Sequence, residues 1–170
     1  MEAKTNEPSQ AIVRAAQIFE MAASWVAIGK LKKITSEQAL KRPAPGLSNI
    51  YWLIGHMAAS CDIAPYINGA DRVIDDSLDP LFDMGTKPQD DASGYPSIDG
   101  ILENFEKGIA DSLSAIKSVG EADLNLPPAK PLGEPLNQYF KTRYDIILGF
   151  ATHLTYHGGQ VGTILSLLEK

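Results

Sequence analysis

The segment ILGFATHLTYHGGQVGTILSLLEK, residues 147–170, decides the fold that this sequence predicts. Apolar residues and two histidines recur in it at spacings of three and four, which is the period of one face of an α-helix. With one preceding residue included, this stripe contains Ile146, Phe150, His153, His157, Val161, Ile164 and Leu168. The pattern therefore predicts an amphipathic helix that carries both histidines on its buried face.

The third histidine of the chain, His56, lies in a second apolar run, YWLIGHMAAS, at residues 51–60. Helical spacing places it on a buried stripe as well. A buried imidazole with neither a hydrogen bond nor a metal costs roughly 1–3 kcal/mol. The i, i+4 spacing of His153 and His157 lets both rings reach one ion. We therefore expect one divalent metal on all three histidines, with ordinary core hydrogen bonds as the alternative.

Helical periodicity predicts four helices in all. Their predicted extents are from near Pro8–Ser9 towards Leu31, from about Leu47 or Ser48 to between Pro65 and Gly69, from Ser97 onward, and from a start between Leu136 and Tyr144. Residues 69–96 have no sustained periodicity and predict a long crossover between helices two and three. The sequence thus predicts one all-α domain over residues 1–170, a four-helix bundle with up-down-down-up topology.

The charge balance indicates which partners are unsuitable. The chain has 170 residues, with 21 acidic and 15 basic side chains and a formal charge of −6, and it has no basic stripe of the kind that binds nucleic acid. Its polar beginning, MEAKTNEPSQ, lacks the apolar core of a signal peptide, and no run approaches the roughly 18 apolar residues of a membrane span. We expect a cytoplasmic protein that binds neither membrane nor nucleic acid.

Two other features are interpreted as structural. A single cysteine, Cys61, excludes an internal disulfide; five residues after His56, it is rotated off that face and is interpreted as a small buried apolar residue rather than a ligand or nucleophile. The seven aspartates between residues 71 and 91 do not match the spacing of a calcium loop and are interpreted as solvated charges.

The residues quoted so far resemble a known family. The passage LKKITSEQALKRPAPGLSNIYWLIGHMAAS, residues 31–60, is similar to the end of helix one and the histidine-bearing second helix of the DinB/YfiT-like superfamily. The passage HLTYHGGQVGTIL, residues 153–165, resembles the closing H-x-x-x-H-x-G-Q-[IV] signature of that superfamily. The resemblance implies a four-helix bundle with a divalent metal on His56, His153 and His157.

Characterised members of that superfamily include thiol-dependent transferases and maleylpyruvate isomerases. The resemblance therefore implies a metal-dependent enzyme that uses a low-molecular-weight thiol, or water, as nucleophile on a small electrophile. The alternative is a metal-stabilised stress-response or binding bundle without turnover. Zinc and nickel are the expected metals, because both accept nitrogen ligands. Relatives commonly pair, and helices one and three carry much apolar surface, so a homodimer is expected.

Four residues near the histidines are candidates for holding ligand rings or lining a substrate pocket. Gln160, three residues after His157, is placed to hold a ring or a bound water, or else is a polar residue at a helix edge. Asn49 is favoured as the cap of helix two, while Trp52 and Tyr156 are pocket candidates whose alternative is simple packing. No catalytic side chain is identified. Gly158 stands where relatives often have a basic residue, and close backbone approach would explain the Gly158–Gly159 pair.

Overall fold

The computed structural model describes residues 9–169. Within that range all regular secondary structure is helical, and there is no β-strand. The α-helices in chain order are α1 (Gln10–Ser24), α2 (Ile28–Leu31), α3 (Ser36–Leu40), α4 (Ile50–Ser60), α5 (Ala64–Asn68), α6 (Asp79–Phe82), α7 (Ile98–Ser118), α8 (Leu136–Tyr139) and α9 (Arg143–Leu168). Two 3-10 segments, Asp76–Leu78 and Glu121–Asn125, precede α6 and follow α7. The predicted all-α class is confirmed.

Each of the four longest helices begins at a polar side chain that accepts a hydrogen bond from an otherwise unpaired backbone N–H. The capping residues are Ser9 for α1, Asn49 for α4, Ser97 for α7 and Thr142 for α9. Asn49 therefore has the capping role that was favoured for it. The alternative start of helix one at Pro8 lies outside the described residues.

The core lies between these four helices. Helix α1 packs against α7 and α9, and α4 packs against the same two helices. The predicted apolar stripes of helices one and three are the faces that become buried, with Phe19 and Phe105 among the fully enclosed side chains. This arrangement places the two histidine-bearing helices, α4 and α9, side by side.

Helix α1 ends earlier than the sequence pattern predicts. The chain turns at Ala27, whose φ of 57° is left-handed, before the short helix α2 continues to Leu31. The turn brings the Trp25 carbonyl against α9, where a Cβ at Gly158 would lie 3.2 Å from that oxygen. The expected close backbone approach is therefore present at Gly158, whereas Gly159 faces open space.

The segment Gln10–Leu31 is long and apolar enough, by length and composition alone, to cross a membrane. Its mean hydropathy is 1.3. One face of the segment is buried, and its apolar residues Ile12, Phe19 and Leu31 are enclosed in the core. Core helices share this composition, so length and hydropathy alone are weak evidence for a membrane span.

The predicted crossover between helices two and three contains helical structure that the sequence pattern did not indicate. The second predicted helix is interrupted after Ser60 and resumes as α5, and α6 follows within the crossover. Arg72 stabilises this region by donating hydrogen bonds to both carboxylate oxygens of Asp79, at 2.6 and 2.7 Å, and to the Ala59 carbonyl at 2.8 Å. The crossover therefore lies on α4 as an ordered layer.

The contact between α4 and α6 leads to a stability prediction. A Cβ on Gly55 would overlap the ring of Phe82, which is fully buried. We expect Gly55→Ala to lower the free energy of unfolding by about 1–3 kcal/mol, because the ring must shift within a packed core. Gly159→Ala, in the open part of α9, is the matched control and should leave stability unchanged or raise it by up to about 1 kcal/mol. Urea unfolding of both variants measures the difference, and equal stabilities would contradict the packing.

Candidate metal centre

The three histidines meet at the contact between α4 and α9. His56 projects from the middle of α4, and His153 and His157 project from successive turns of α9. One ring nitrogen from each histidine lies within 4.8 Å of the other two. The ring centroids are 4.6 to 5.0 Å apart, and the rings meet edge to face, which lets three nitrogens point to a common centre.

Hydrogen bonds on the far side of two rings decide which nitrogen faces that centre. The Nδ1–H of His56 donates to the Phe82 carbonyl at 2.7 Å. The Nδ1–H of His157 donates to Oε1 of Gln160, also at 2.7 Å. In both rings Nε2 then carries the lone pair, which is the tautomer that metal-binding histidines adopt when a second group holds the other nitrogen.

The third ring, His153, has a different environment. Its Nε2 lies 3.0 Å from the Nε2 of His56, and its buried Nδ1 has no hydrogen-bond partner within the described residues. Burial, together with the neighbouring His157 and His56, lowers the pKa of His153 to about 3. Burial also lowers the pKa values of the other two rings. All three imidazoles are therefore neutral at pH 7, as metal ligands must be.

Trp52 and Asn49 position the first ring. The indole of Trp52 stacks on His56 with centroids 4.8 Å apart and planes 9° apart, and its N–H donates to the Thr86 hydroxyl at 2.9 Å. Asn49 caps α4 and donates its side-chain N–H to the Gln89 carbonyl at 2.9 Å. Both residues tie α4 to the crossover, so their contacts are structural support for His56.

Gln160 and Tyr156 lie beside the last ring. Gln160 accepts from His157 and donates to the Tyr156 hydroxyl at 3.3 Å, so the structure places it where a ring-holding residue belongs. The ring of Tyr156 is 4.9 Å from that of His157, but its side chain is 63% exposed. Tyr156 faces a more open hollow between α1 and α9 rather than the cavity beside the histidines.

A cavity of about 330 Å³ opens beside the three histidines. Its lining residues are His56, Ser60, Asp83, Met84, Leu136, Phe140, Gly149, Phe150, His153 and His157. Helical spacing in the sequence predicts Phe150 on the stripe of the histidines, but it does not predict the walls formed by α8 and by residues 83–84. A local sequence pattern has no signal for them, because short loop segments reach the cavity only through the tertiary fold.

The aspartates of the crossover are mostly exposed, as interpreted from the sequence, and several of them also form ion pairs. Asp79 pairs with Arg72, Asp90 pairs with Arg42 at 2.7 Å, and Asp71 pairs with Lys130 at 3.2 Å. Asp83 instead stands at the rim of the cavity. It is the residue that the sequence interpretation most clearly missed.

Cys61 is remote from this chemistry. Its side chain is fully buried, and its Sγ–H donates to the Ala58 carbonyl at 3.4 Å. Burial raises the pKa of the thiol far above its usual value. It is therefore a packed apolar residue, as its position in the sequence indicated, and the thiol is unsuited to act as a nucleophile.

The donor set matches what a divalent metal requires. Two nitrogens each about 2.0–2.1 Å from a tetrahedral ion lie about 3.3 Å apart. The 3.0 Å separation of the Nε2 atoms of His56 and His153 needs little adjustment to reach that value. Within residues 9–169, no cysteine or carboxylate joins the histidine cluster as a further ligand. Three neutral nitrogens beside a cavity can hold a metal with a coordination position left for an exchangeable molecule.

A family model described as the DinB superfamily matches residues 24–161, a range that includes all three histidines and every residue of the cavity lining. None of the curated proteins compared with the chain matches it.

Proposed function

The chain belongs to the DinB superfamily, and we propose that it is a metal-dependent enzyme in which His56, His153 and His157 hold one divalent ion. The observation that carries this proposal is the convergence of three neutral ring nitrogens, within 4.8 Å of one another, beside an apolar cavity. Zinc or nickel is the proposed metal, because imidazole nitrogen suits both.

The proposed reaction joins a low-molecular-weight thiol, or water, to a small electrophile in the manner of a thiol S-transferase. His56, His153 and His157 would hold the ion as neutral ligands, and its positive charge would favour the deprotonated form of a thiol at neutral pH. Within residues 9–169 the chain's own thiol is buried, so the nucleophile comes from solution. Its sulfur forms a bond to the electrophilic carbon, the leaving group departs with its electron pair, and the thiol proton passes to solvent.

The protein residues then have distinct roles. Phe82 and Gln160 hold two of the rings with Nε2 free. The walls of the cavity, in particular Phe140 and Phe150, exclude water and hold the electrophile beside the metal.

The alternative is a stress-response or binding bundle that a metal stabilises without turnover. In such a site a fourth protein ligand closes the coordination sphere. Because no cysteine or carboxylate within residues 9–169 joins the three histidines, and because a cavity adjoins them, the arrangement favours the enzyme.

The proposed setting follows from the same features. We take α1, α4, α7 and α9 as a four-helix bundle in the up-down-down-up order, with each long helix packed on two others. The net charge of −6 supports a small-molecule substrate rather than nucleic acid or an anionic membrane surface, and fits a cytoplasmic protein.

A homodimer is also proposed, through α1 and α9. Large exposed apolar side chains lie on or just after α1, at Ile18, Met21 and Trp25, and on α9, whereas the exposed residues of α7 are polar or small. The pairing face therefore differs from the α1 and α7 faces expected from the sequence. Light scattering at tens of micromolar protein should give about twice the 18.4 kDa chain mass, and Met21→Lys should return it to one chain mass. A single-chain mass for the unaltered protein would contradict the dimer.

The metal proposal predicts a loss of bound ion. Replacing His56, His153 or His157 singly with Ala should reduce zinc or nickel content to a small fraction of one ion per chain, because each removes a ligand that two rings cannot replace. Elemental analysis of protein purified without a polyhistidine tag measures the content, and circular dichroism checks the fold. Tyr156→Phe, which alters the neighbouring ring without removing a ligand, is the control. One bound metal ion per chain in a His153→Ala, His157→Ala double variant would contradict the assignment of these histidines as ligands.

The reaction proposal predicts that an exogenous thiol binds to the metal. In cobalt-substituted protein, glutathione, bacillithiol or mycothiol should add a thiolate-to-metal charge-transfer band in the near ultraviolet, because a coordinated thiol is deprotonated. The same titration with ethylene glycol, the alcohol analogue of 2-mercaptoethanol, should add no such band. An unchanged spectrum with all three thiols would leave water as the nucleophile, or the alternative without turnover.

A further inference from the structure

A row of aromatic rings forms one wall of the cavity beside the histidines. The ring of Phe150 meets that of His153 edge to face, with centroids 6.2 Å apart, and Phe140 lies against Phe150 at 6.0 Å. Tyr66 stacks on Phe150 at 6.4 Å. A group that rests on Phe150 or Phe140 therefore lies next to a ligand of the proposed ion.

The Phe140 ring reaches this row because of a glycine on α9. A Cβ at Gly149 would overlap the ring, so a larger residue there would displace it. Within the described part of the chain, the hydrogen bonds of residues 132–140 stay inside that segment and its neighbour Lys141. Apolar packing against α9 therefore sets the position of Phe140.

The polar groups of the lining are few. The Ser60 hydroxyl donates to the His56 carbonyl at 2.7 Å, and the exposed Asp83 carboxylate accepts the Met84 N–H at 2.6 Å. No lysine or arginine is among the described residues that line the cavity. The proposed ion would thus be the cationic centre of the site. The electron-rich end of a substrate belongs at that ion, and the remainder meets hydrocarbon walls.

The size of the cavity limits that remainder. Its volume of about 330 Å³ is at the small end of the range for small-molecule sites, about 300–1,000 Å³. Leu136 and Met84 complete the walls that Phe140 and Phe150 begin. A planar ring placed on such walls gains offset-stacked or edge-to-face contacts in addition to the burial of its apolar surface. The site therefore suits a flat group of about the size of one ring.

We propose that the substrate of this site carries a flat apolar body, such as an aromatic ring, and that Phe140 is the specificity-determining residue that packs on it. The inference rests on the proposed function, because it places the reacting end of the substrate at the ion held by the three histidines. The preference for an apolar body is a property of the chain's own walls.

The test uses the cobalt-substituted protein and two hydroxamates that share one metal-binding head. Acetohydroxamate carries a methyl group on that head, and benzohydroxamate carries a phenyl ring. Titrations followed by the visible spectrum of cobalt give both dissociation constants for the metal-loaded site. Burial of about 60 Å² of apolar surface is enough for a tenfold gain in affinity, so we expect benzohydroxamate to bind about tenfold more tightly.

Phe140→Ala should lower this ratio to about threefold or less, and should leave the affinity for acetohydroxamate unchanged because the ion stays in place. Tyr139→Ala is the matched control. It removes an aromatic ring from the same helix at a position that is 71% exposed and outside the cavity lining, so it should keep the full ratio. Gly149→Ala displaces the Phe140 ring without deleting it and should also lower the ratio. Gly162→Ala, at an open position on α9, is its control.

The inference is overturned if benzohydroxamate binds no more tightly than acetohydroxamate. It is also overturned if the ratio survives in a folded Phe140→Ala variant, or in Gly149→Ala where the first variant does not fold. These results leave the metal proposal intact, because acetohydroxamate still reports an ion with an open position. If neither hydroxamate alters the cobalt spectrum, the ion has no open position, and the proposed function fails together with the inference.

Discussion

The hydrogen bond from the His56 imidazole to the Phe82 carbonyl is the contact on which the site depends. It fixes the tautomer of one proposed ligand, and it exists only because Gly55, one residue earlier, lets the Phe82 ring lie directly on α4. Asn49, Tyr51 and Trp52 tie the same helix to later points of the crossover. These hydrogen bonds, added to the apolar packing of α4, fix its rotation and its position along its axis relative to α9. Three imidazoles can converge only if that register is kept.

The two histidine-bearing helices contribute to the cluster in different ways. Within α9, helical geometry alone places His153 and His157 side by side, so the pair needs no tertiary contact to form. His56 is different, because its distance to the pair is a property of how α4 and α9 pack. Polar groups then complete the arrangement: a backbone carbonyl on one side and the Gln160 amide on the other leave lone pairs facing inward. The metal centre would therefore be assembled by folding rather than by any local segment.

The sequence was sufficient to predict the features that recur at helical spacing within a single helix. The stripes of α1, α7 and α9, the Asn49 cap and the inward-facing histidine pair follow from periodicity and capping chemistry, and the structure agrees. It was insufficient where the chain is irregular. The left-handed turn at Ala27, the helices inside the crossover and the cavity walls at Phe140 and Asp83 depend on contacts between segments distant in sequence. Those contacts have no period to detect, which is why Asp83, a lining residue of the cavity, was interpreted as an ordinary loop aspartate.

The stacking of Trp52 on His56 has an optical consequence. An indole 4.8 Å from a ring that faces the proposed ion is close enough for its excited state to respond to what that ring binds. The chain has two tryptophans. The other one, Trp25, is 56% exposed, and its backbone carbonyl packs against Gly158 of α9. Intrinsic fluorescence therefore contains one emitter stacked on a proposed ligand, Trp52, and one on the proposed pairing face, Trp25, so Trp52 gives the protein its own reporter of occupancy without any attached dye.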